Sequence, residues 1–500
     1  MTDVVIVGGG PTGLLLAGEL RLGGADVLVL EAAEGGERRT RSLGLRGLND
    51  RTTQLLRLRG LTEPLAETQA ALFGQFAAAG GHDQVDVLVQ MLKSGRARGH
   101  FGGLPLVDDA PPSGAAAHFV VRQHLLEEIL ADWATGLGTR IRSGCRVVDV
   151  VDEGTAVRAV LEDGEQVRAA YLVGCDGGRS TVRKRAGIDF PGTPATMTGR
   201  TAVAELSDPL TSSVHGPNGL LNVSMVPGEI ATIEFDGGPG QRDAPVTAEE
   251  MQASIRRVSG IDAVITKFEV GIRYSDNTRQ AETYRKGRVL LAGDAAHVHS
   301  PIGGQGLNLG LQDAANLGWK LALVARGLAA ESLLDTYTAE RHPVGRRVLR
   351  NTRAQVALMR PGPQVAALRE VLGEVLAIPA AKRHFVELVN GHDIDYAPDS
   401  AHPAVGRFVP PLELVGADPL PVLLRDGRAV LLDLAGSPRL GSAVNGHGDR
   451  VRVVGARCPS HDEFTALLVR PDGYVAWATS EDDPAGLPEA LAQIDNTLST

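Results

Sequence analysis

The segment DVVIVGGGPTGLLLAGELRL, residues 3–22, decides the fold. Its apolar run Val4–Val7 is typical of a buried strand, a glycine-rich turn follows, and Pro11–Leu22 has the composition of a helix. A second apolar run, Val27–Leu30, comes after a short connection. Strand, helix and strand in this order form a βαβ unit, which predicts a parallel sheet and an α/β fold.

The glycines between strand and helix follow the pattern Gly8-x-Gly10-x-x-Gly13. In a dinucleotide-binding turn the first glycine permits a tight turn, the second lets backbone approach a pyrophosphate, and the third packs helix on strand. The helix N-terminus, with Thr12 in its first turn, then faces the negative charge of the phosphates. Glu31 ends the second strand, where a carboxylate can accept hydrogen bonds from both ribose hydroxyls of an adenosine. These residues predict a site for FAD or NAD.

A second motif, RVLLAGDAAH at residues 288–297, distinguishes the two cofactors. An apolar strand ends there at Gly293 and Asp294, and a helix is predicted to start within Gly303–Asn308. A carboxylate at the strand end suits the polyol chain of FAD, and free N–H groups at the helix start suit negative charge on a reduced flavin ring. We therefore predict FAD, with Asp294 deeper in the site than Glu31.

Composition and charge exclude several classes of protein. The 500 residues are 43% hydrophobic and 22% charged, which predicts a globular chain of roughly two or three domains. The net charge of -10 and the lack of a Lys/Arg block argue against nucleic acid as a partner. Cys145, Cys175 and Cys458 have no CxxC spacing, so neither a disulfide framework nor a thiol redox centre is expected. With no signal peptide and no membrane-length apolar run, we expect a cytoplasmic protein without a membrane partner.

Two further patterns carry weaker signals. His297 and His299 lack a third ligand nearby, so we expect them to line the flavin pocket and expect no metal. The arginine-rich stretch Arg341–Arg353 is typical of a solvated helix face, with docking of a nicotinamide cofactor's phosphate as the less favoured alternative.

The elements before the inserted region are predicted as follows: helices at Arg51–Leu58 and Val121–Leu130, a loop at Asp108–Ala117, and strands at Arg146–Val151, Ala156–Val160 and Ala169–Val173. Between Gly187 and Arg273 short strand-like pieces alternate with Pro/Gly turns, which predicts an inserted sheet domain.

Long helices at Leu307–Val324 and Leu333–Arg353 are predicted to close the first domain. The last hundred residues suggest a small α/β appendage, with strands that include Val422–Leu424 and a helix at Leu487–Ile494. The predicted division is 1–185 with 274–395 for the cofactor domain, 186–273 for a substrate-binding sheet domain, and 396–500 for the appendage.

Taken in order, these motifs resemble the FAD-dependent aromatic hydroxylases of the para-hydroxybenzoate hydroxylase fold. The resemblance covers nearly the whole chain and includes the segment CDGGRSTVR at 175–183 and LDTYTAERHP at 334–343. It is nearest to hydroxylases of aromatic polyketides and to rifampicin monooxygenases. The last hundred residues resemble the thioredoxin-like domain of the polyketide group, most clearly in RPDGYVAW at 470–477, but they lack its redox cysteines. A structural role is therefore expected for them.

The resemblance also implies roles for individual residues. The residues expected to contact FAD are Gly8, Gly10, Thr12, Gly13, Glu31, Ala32, either Arg41 or Arg46, Gln123, Val147, Asp176, Asp294, Pro301, Gly304, Gly306, Leu307 and Asn308. Among them Glu31 and Ala32 match the ribose contact, Val147 the adenine contact, and Asp294 the ribityl contact. Pro301 matches the proline near the face of the flavin on which oxygen reacts, and it is the single candidate for a catalytic role.

The implied activity is insertion of one oxygen atom from O2 into an aromatic, polyketide-type substrate. NADPH or NADH would reduce the flavin as a transient co-substrate, O2 would add at flavin C4a, and the ring would attack the resulting hydroperoxide. A Baeyer–Villiger or epoxidising enzyme, an antibiotic-inactivating monooxygenase and a non-catalytic protein that binds FAD or an aromatic ligand are alternatives. The sequence leaves open the substrate, the position oxidised, NADH or NADPH, and monomer or homodimer.

Overall fold

A computed structural model describes residues 2–35, 42–78, 97–107, 118–210, 212–224, 226–241, 244–437, 439–440 and 450–494. Arg41 and the whole of the predicted Asp108–Ala117 loop fall outside these ranges. Within them, no helix is both long enough and apolar enough to cross a membrane.

The main sheet is parallel around the N-terminal strand. Thr2–Val7 pairs in parallel with Val27–Leu30 on one side and with Gln166–Gly174 on the other. Helices cover both faces of such a sheet, which is why Val4–Val7 and Val27–Leu30 are apolar without alternation and buried. The strand order is Arg285–Lys286, Val289–Leu291, Gln166–Gly174, Thr2–Val7, Val27–Leu30, Arg140–Arg142, with a hairpin of Val147–Asp152 and Val157–Leu161 attached to Gln166–Gly174.

Two helices cross closely over this sheet, Pro11–Leu22 and Gln305–Ala325. Small residues permit the approach, since a Cβ on Gly310 would lie 2.4 Å from the Thr12 hydroxyl and one on Gly318 would lie 2.3 Å from the Glu19 Cβ. The crossing therefore fixes the start of the second helix relative to the glycine-rich turn.

The segment predicted as a helix from Val121 begins instead as a strand. Phe119–Arg122 pairs antiparallel with Leu45–Leu48, so that Val121 lies opposite Arg46, and the helix Gln123–Gly136 starts after it. Gln123, one of the residues predicted to contact FAD, therefore lies at a strand-to-helix junction.

A second sheet of five antiparallel strands lies within the predicted inserted region. Its order is Val214–Gly216, Gly219–Val223, Glu229–Glu234, Thr198–Leu206, Ile265–Ser275. The helix Ala248–Ser259 packs on one face through Met251, Ile255 and Val258, which leaves the other face free to line a cavity.

The C-terminal region contains a four-stranded sheet in the order Val451–Gly455, Ala429–Asp433, Ala466–Val469, Val475–Thr479, with the helix Leu487–Ile494. The prediction of a strand at Val422–Leu424 is wrong, because Leu420–Leu423 is a short helix that begins with proline in its first turn. Apolar side chains of this region pack against Leu55 and Ala315 of the main domain.

Further elements belong to the described ranges. They are the helices Asp50–Leu58, Thr62–Ala78, Thr181–Arg185, Asp335–Met359, Pro363–Leu376 and Pro379–Asn390, the 3-10 turns Gly293–Ala295 and Glu331–Leu334, the hairpin Ala97–Phe101 with Leu104–Val107, and the small sheet Gly192–Thr193, Thr278–Gln280, His297–Val298.

Candidate active site

The three glycines of the glycine-rich turn differ in the space available for a side chain: neighbouring backbone blocks it at two of them and leaves it free at the third. A Cβ on Gly8 would lie 2.3 Å from the Cys175 carbonyl oxygen, and one on Gly13 would lie 2.1 Å from the Gly8 carbonyl oxygen, so neighbouring backbone excludes a side chain at both. At Gly10 nothing lies within 4 Å of a Cβ. Gly10 caps the helix Pro11–Leu22, whose first turn carries no acidic residue, and its bare backbone faces open space that a phosphate group can enter.

Glu31 is buried beside this turn with both carboxylate oxygens engaged. Oε2 accepts a 2.7 Å hydrogen bond from the Gly9 amide and Oε1 accepts one of 2.7 Å from the Ala33 amide. Only 2% of the residue is exposed, so the Glu31 carboxylate lies beneath the surface of the cleft. The carboxylate holds the strand end against the glycine turn and still lines the cleft.

Asp294 follows the strand Val289–Leu291 in the 3-10 turn Gly293–Ala295, and its side chain is exposed to the cleft. Protein nevertheless surrounds the cleft, and the resulting desolvation raises the pKa of Asp294. Neighbouring groups hold the turn from behind: Asp313 accepts a 3.2 Å hydrogen bond from the Gly293 amide and one of 2.6 Å from His297 Nε2.

Arg341 completes this buried network. Its Nε donates to Asp313 at 2.8 Å, and Nη1 donates to the Tyr396 hydroxyl at 3.0 Å. Arg341 is 0% exposed, so the prediction that this end of the arginine-rich stretch is solvated is wrong. His297 is likewise buried and does not line the cleft, whereas His299 does. Among the described residues no cluster of three or more metal-ligating side chains occurs.

The start of the Gln305–Ala325 helix forms another wall of the cleft. Gly304 caps the helix with a left-handed φ of 63°, and the first turn contains no acidic residue. Asn308 accepts a 2.9 Å hydrogen bond from the Asn49 amide and donates to the Gly47 and Gly304 carbonyls, so it braces the wall from behind. Gly306 and Leu307 of this turn line the cleft, and a helix N-terminus, with amides that lack intrahelical partners, favours negative charge there.

Arg46 and Gln123 meet at the edge of the cleft. The Gln123 side-chain oxygen accepts hydrogen bonds from Arg46 Nε at 3.3 Å and from the Ser42 hydroxyl at 2.8 Å, while its nitrogen donates to Glu127 at 3.0 Å. Of the two arginine alternatives, Arg46 lines the cleft, and Arg41 lies outside the described residues.

Asp176 has a local structural partner as well. One oxygen accepts from the Ser180 hydroxyl at 2.5 Å and the other from the Val182 amide at 3.1 Å, so the carboxylate caps the short helix that begins at Thr181. Asp176 also lines the cleft.

The structure thus brings most of the predicted residues into one cleft of about 740 Å³. The predicted residues that line it are Gly8, Gly10, Thr12, Glu31, Ala32, Arg46, Gln123, Val147, Asp176, Asp294, Pro301, Gly304, Gly306 and Leu307. Gly13 and Asn308 lie behind the wall, where the first packs against the turn and the second braces it.

A larger cavity of about 1360 Å³ adjoins the cleft. The two spaces share the lining residues Leu45, Arg46, Arg179, Asp294, His299, Pro301 and Gly304. The five-stranded sheet supplies one wall through residues that the sequence did not single out, with Leu220, Ala231, Ile233 and Ile272 among its apolar members and Glu229 and Tyr274 among its polar ones. These residues belong to no motif, so only the register of the strands shows that they face the same cavity.

Three titratable groups at this junction have shifted pKa values. Burial lowers the pKa of His299 to about 4, so the imidazole is neutral at pH 7, with Nδ1 donating to the Ser300 carbonyl at 2.8 Å. Burial raises the pKa of Tyr274 and of Glu229. The cavity therefore offers neutral or weakly acidic groups beside Arg46, an environment suited to a polar aromatic molecule.

The lining fits FAD. Gly10 leaves room that a side chain would occupy, two helix N-termini without acidic residues face the cleft, and Asp294 offers a carboxylate between them. Bound there, FAD would supply the redox and oxygen chemistry, while the protein binds and orients its partners. A cleft that fits FAD and opens into a separate large cavity is typical of a flavin-dependent oxidoreductase.

Comparison with known proteins gives the family. Residues 1–352 match the family described as FAD binding domain, and residues 402–495 match the family described as aromatic-ring hydroxylase, C-terminal. The chain belongs to the FAD-dependent aromatic monooxygenases, a family in which NAD(P)H is the typical co-substrate.

The relatives are enzymes of antibiotic chemistry. The chain is 40% identical to 12-dehydrotetracycline 5-monooxygenase/anhydrotetracycline 6-monooxygenase of Streptomyces rimosus, over 98% of both chains, and 40% identical to rifampicin monooxygenase of Streptomyces venezuelae, over 96% of both. The solved structure of anhydrotetracycline hydroxylase from Streptomyces rimosus superposes with a TM-score of 0.86, at 38% identity and 98% coverage of each chain. A relative of Streptomyces rugosporus, 36% identical over 98% of each chain, is a dialkyldecalin synthase.

Proposed function

We propose that the protein hydroxylates an aromatic, polyketide-type substrate held in the cavity of about 1360 Å³, with FAD in the adjoining cleft. The observation that carries this proposal is the shared wall: Arg46, Asp294, His299, Pro301 and Gly304 line both spaces. A substrate in the cavity would therefore touch the same surface as the cofactor, as oxygen transfer between them requires.

The proposed FAD contacts follow the cleft. Gly8, Gly10, Thr12 and Gly13 would form the pyrophosphate turn, Glu31, Ala32 and Val147 the adenosine end, and Arg46, Gln123, Asp176 and Asp294 the middle. Pro301, Gly304, Gly306, Leu307 and Asn308 would form the ring end. What supports this assignment is the one continuous cleft and the open space at Gly10.

We propose that residues 1–185 and 274–395 bind the cofactor and that residues 186–273 form the wall of the substrate cavity. Residues 396–500 would form a thioredoxin-like cover. In the cover Cys458 is buried beside the Ser460 hydroxyl, and neither of the other two cysteines lies in that segment. We therefore propose a structural role for this segment and no electron exchange through a cysteine pair.

The cavity's polarity supports an aromatic substrate that carries hydroxyl or carbonyl groups. Apolar side chains from the sheet can contact a fused ring system, while Glu229, Tyr274 and Arg46 can hydrogen-bond its substituents. The substrates named for the relatives, a tetracycline precursor and rifampicin, are of this chemical type.

The test is a screen of aromatic polyketides for stimulated NADPH oxidation, followed by mass spectrometry of the product. Hydroxylation predicts a gain of one oxygen atom as a new phenol. The same mass with an inserted ring oxygen or an epoxide would favour the Baeyer–Villiger or epoxidising alternative, and loss of antibiotic activity on oxidation would indicate an inactivating enzyme. Conversion without consumption of O2 would favour chemistry of the kind named for the dialkyldecalin synthase relative.

We also propose that the protein forms a homodimer. Leu368, Val371 and Ile378 are more than half exposed along and just beyond the helix Pro363–Leu376, an apolar surface that a second copy could cover. Light scattering of the purified protein tests this assembly, and a monomer mass across the micromolar range would contradict it.

A further inference from the structure

A groove of about 410 Å³ lies between the strand Thr278–Gln280 and the helix Asp335–Met359. The helix lines it with His342, Arg346, Leu349 and Arg353. Their spacing of three or four positions places all of them on one helix face. His342 Nε2 donates a 3.1 Å hydrogen bond to the Ala281 carbonyl and so ties the helix to the opposite side of the groove.

The groove is strongly basic for an acidic protein. Arg279, Arg346 and Arg353 are exposed there, and Glu282 is the only carboxylate among the lining residues. Within the described ranges, neither Arg346 nor Arg353 forms a hydrogen bond or an ion pair with a carboxylate. Solvated helix faces usually mix both signs of charge, whereas the whole chain has a net charge of -10. Such a local concentration of cations attracts a polyanion.

Basic side chains connect the groove with the flavin cleft. Arg279 lines both the groove and the substrate cavity, and its Nη1 is held by the Phe190 carbonyl at 3.1 Å. Lys184 and Arg179 line the same cavity, and Arg179 also lines the cofactor cleft. A ligand with phosphates in the groove therefore has a positively charged path for its other end toward the flavin.

We infer that the groove formed by Arg279, Arg346 and Arg353 binds the phosphates of NADPH, with the nicotinamide end extending past Arg279 toward the cofactor cleft. The inference rests on the proposed placement of FAD, which takes the only dinucleotide turn of the Gly8–Gly13 kind in the sequence. The reductant must then bind through some other set of anion-binding groups. Arginine suits this task because its planar guanidinium pairs with phosphate oxygens in a bidentate manner.

The test removes two arginines of the helix face together. In the FAD-loaded Arg346→Ala/Arg353→Ala protein, we expect the KM for NADPH to rise about tenfold or more, as loss of two exposed phosphate contacts would produce. Anaerobic stopped-flow reduction by NADPH should give the same limiting rate and a weaker apparent Kd. This reduction assay needs neither O2 nor an aromatic substrate, so its outcome is separate from that of the substrate screen.

Matched variants complete the design. Arg57→Ala/Arg256→Ala removes two exposed arginines that line none of the cavities described above, and it should leave the KM for NADPH unchanged. Arg346→Lys/Arg353→Lys keeps the charge but loses the bidentate geometry, so it should recover only part of the affinity. Inorganic pyrophosphate should compete with NADPH in the parent protein and weakly in the alanine variant. An unchanged KM for NADPH in a folded, FAD-loaded alanine variant overturns the inference, and if pyrophosphate binding alone weakens, the groove binds free anions and not the reductant.

Discussion

Arg470 donates two hydrogen bonds to Glu340, from Nη1 to Oε1 at 2.8 Å and from Nη2 to Oε2 at 2.9 Å, and thereby joins the C-terminal sheet to the helix Asp335–Met359. Glu340 also accepts from Lys320 at 2.8 Å, and Arg470 also pairs with Asp472 at 2.6 Å. These opposite charges hold the pKa of Glu340 well below its usual range, despite burial that acts in the other direction.

Replacement of Arg470 should therefore destabilise the fold. Arg470→Ala leaves Glu340 and Asp472 buried without their shared cation, and breaking a buried pair in this way costs about 3–5 kcal/mol of unfolding free energy. Denaturant unfolding followed by tryptophan fluorescence measures the loss. Arg428→Ala, which breaks the more exposed pair with Asp426, should cost at most about 1 kcal/mol. Equal losses in the two variants would contradict a special role for the Arg470 network.

Alanine substitutions in the glycine-rich turn should separate folding from cofactor binding. At Gly10 a methyl group enters open space, so Gly10→Ala should fold normally yet bind FAD about tenfold more weakly or worse, because the backbone can no longer approach the pyrophosphate. At Gly13 the methyl group meets the Gly8 carbonyl at 2.1 Å, so Gly13→Ala should lower the melting temperature of the apoprotein itself. FAD titration and thermal unfolding of the apoproteins give both quantities. A Gly10→Ala protein that is destabilised as much as Gly13→Ala would show that the turn does not leave this space open.

The two acidic residues of the cleft should respond differently to neutralisation. Asp294→Asn changes a side chain exposed to the cleft and should weaken FAD binding with little change in apoprotein stability. Glu31→Ala leaves the amides of Gly9 and Ala33 buried without an acceptor, which costs about 1–3 kcal/mol for each group, so it should lower stability as well as affinity. Isothermal titration with FAD and denaturant unfolding distinguish the two effects. Equal apoprotein stability in the two variants would argue against the buried role of Glu31.

His299 should make the fold sensitive to mild acid. Its pKa is lowered to about 4 in the folded protein, so the unfolded state, with the ordinary pKa near 6.5, takes up the proton first as pH falls. Stability is therefore fully present above about pH 6.5 and is lost as pH falls toward 4, by up to about 3 kcal/mol from this group. His299→Leu should remove that component. Between these limits, acid should lower the unfolding free energy of the parent protein more than that of the variant, and parallel curves would contradict the assignment.

Much of the lining of the cleft could be predicted from the sequence because its motifs are local. The turn Gly8–Gly13 and the strand end at Asp294 each have a conformation dictated by neighbouring residues, so their patterns can be recognised without knowledge of the fold. The strand predicted at Val422–Leu424 failed for the opposite reason. Its β-branched residue favoured a strand, but the proline beside it starts a short helix in the structure.

Long-range partners explain the other corrections. Arg341 looked solvated because its partner Asp313 lies on another helix, and only the packing of the two helices buries the pair. The burial of Glu31 could not be deduced either, since it depends on the Gly9 and Ala33 amides that the fold brings to its two oxygens. Glu229 and Tyr274 carry no motif, and their common orientation follows from pairing between strands that are distant in sequence.

Glu340 and Arg341 are adjacent in the chain, yet the first pairs with the C-terminal Arg470 and the second with Asp313, which holds the Gly293 amide beside the cofactor cleft. This arrangement restricts how the gene can be recombined. A chimera that takes its C-terminal segment from one relative and its flavin domain from another keeps these pairs only where both parents carry matching charges at this junction. Productive crossovers should therefore keep residues 313–341 and 396–474 from the same parent, while the inserted sheet, which shares none of these pairs, is the part that can be exchanged to change substrate range.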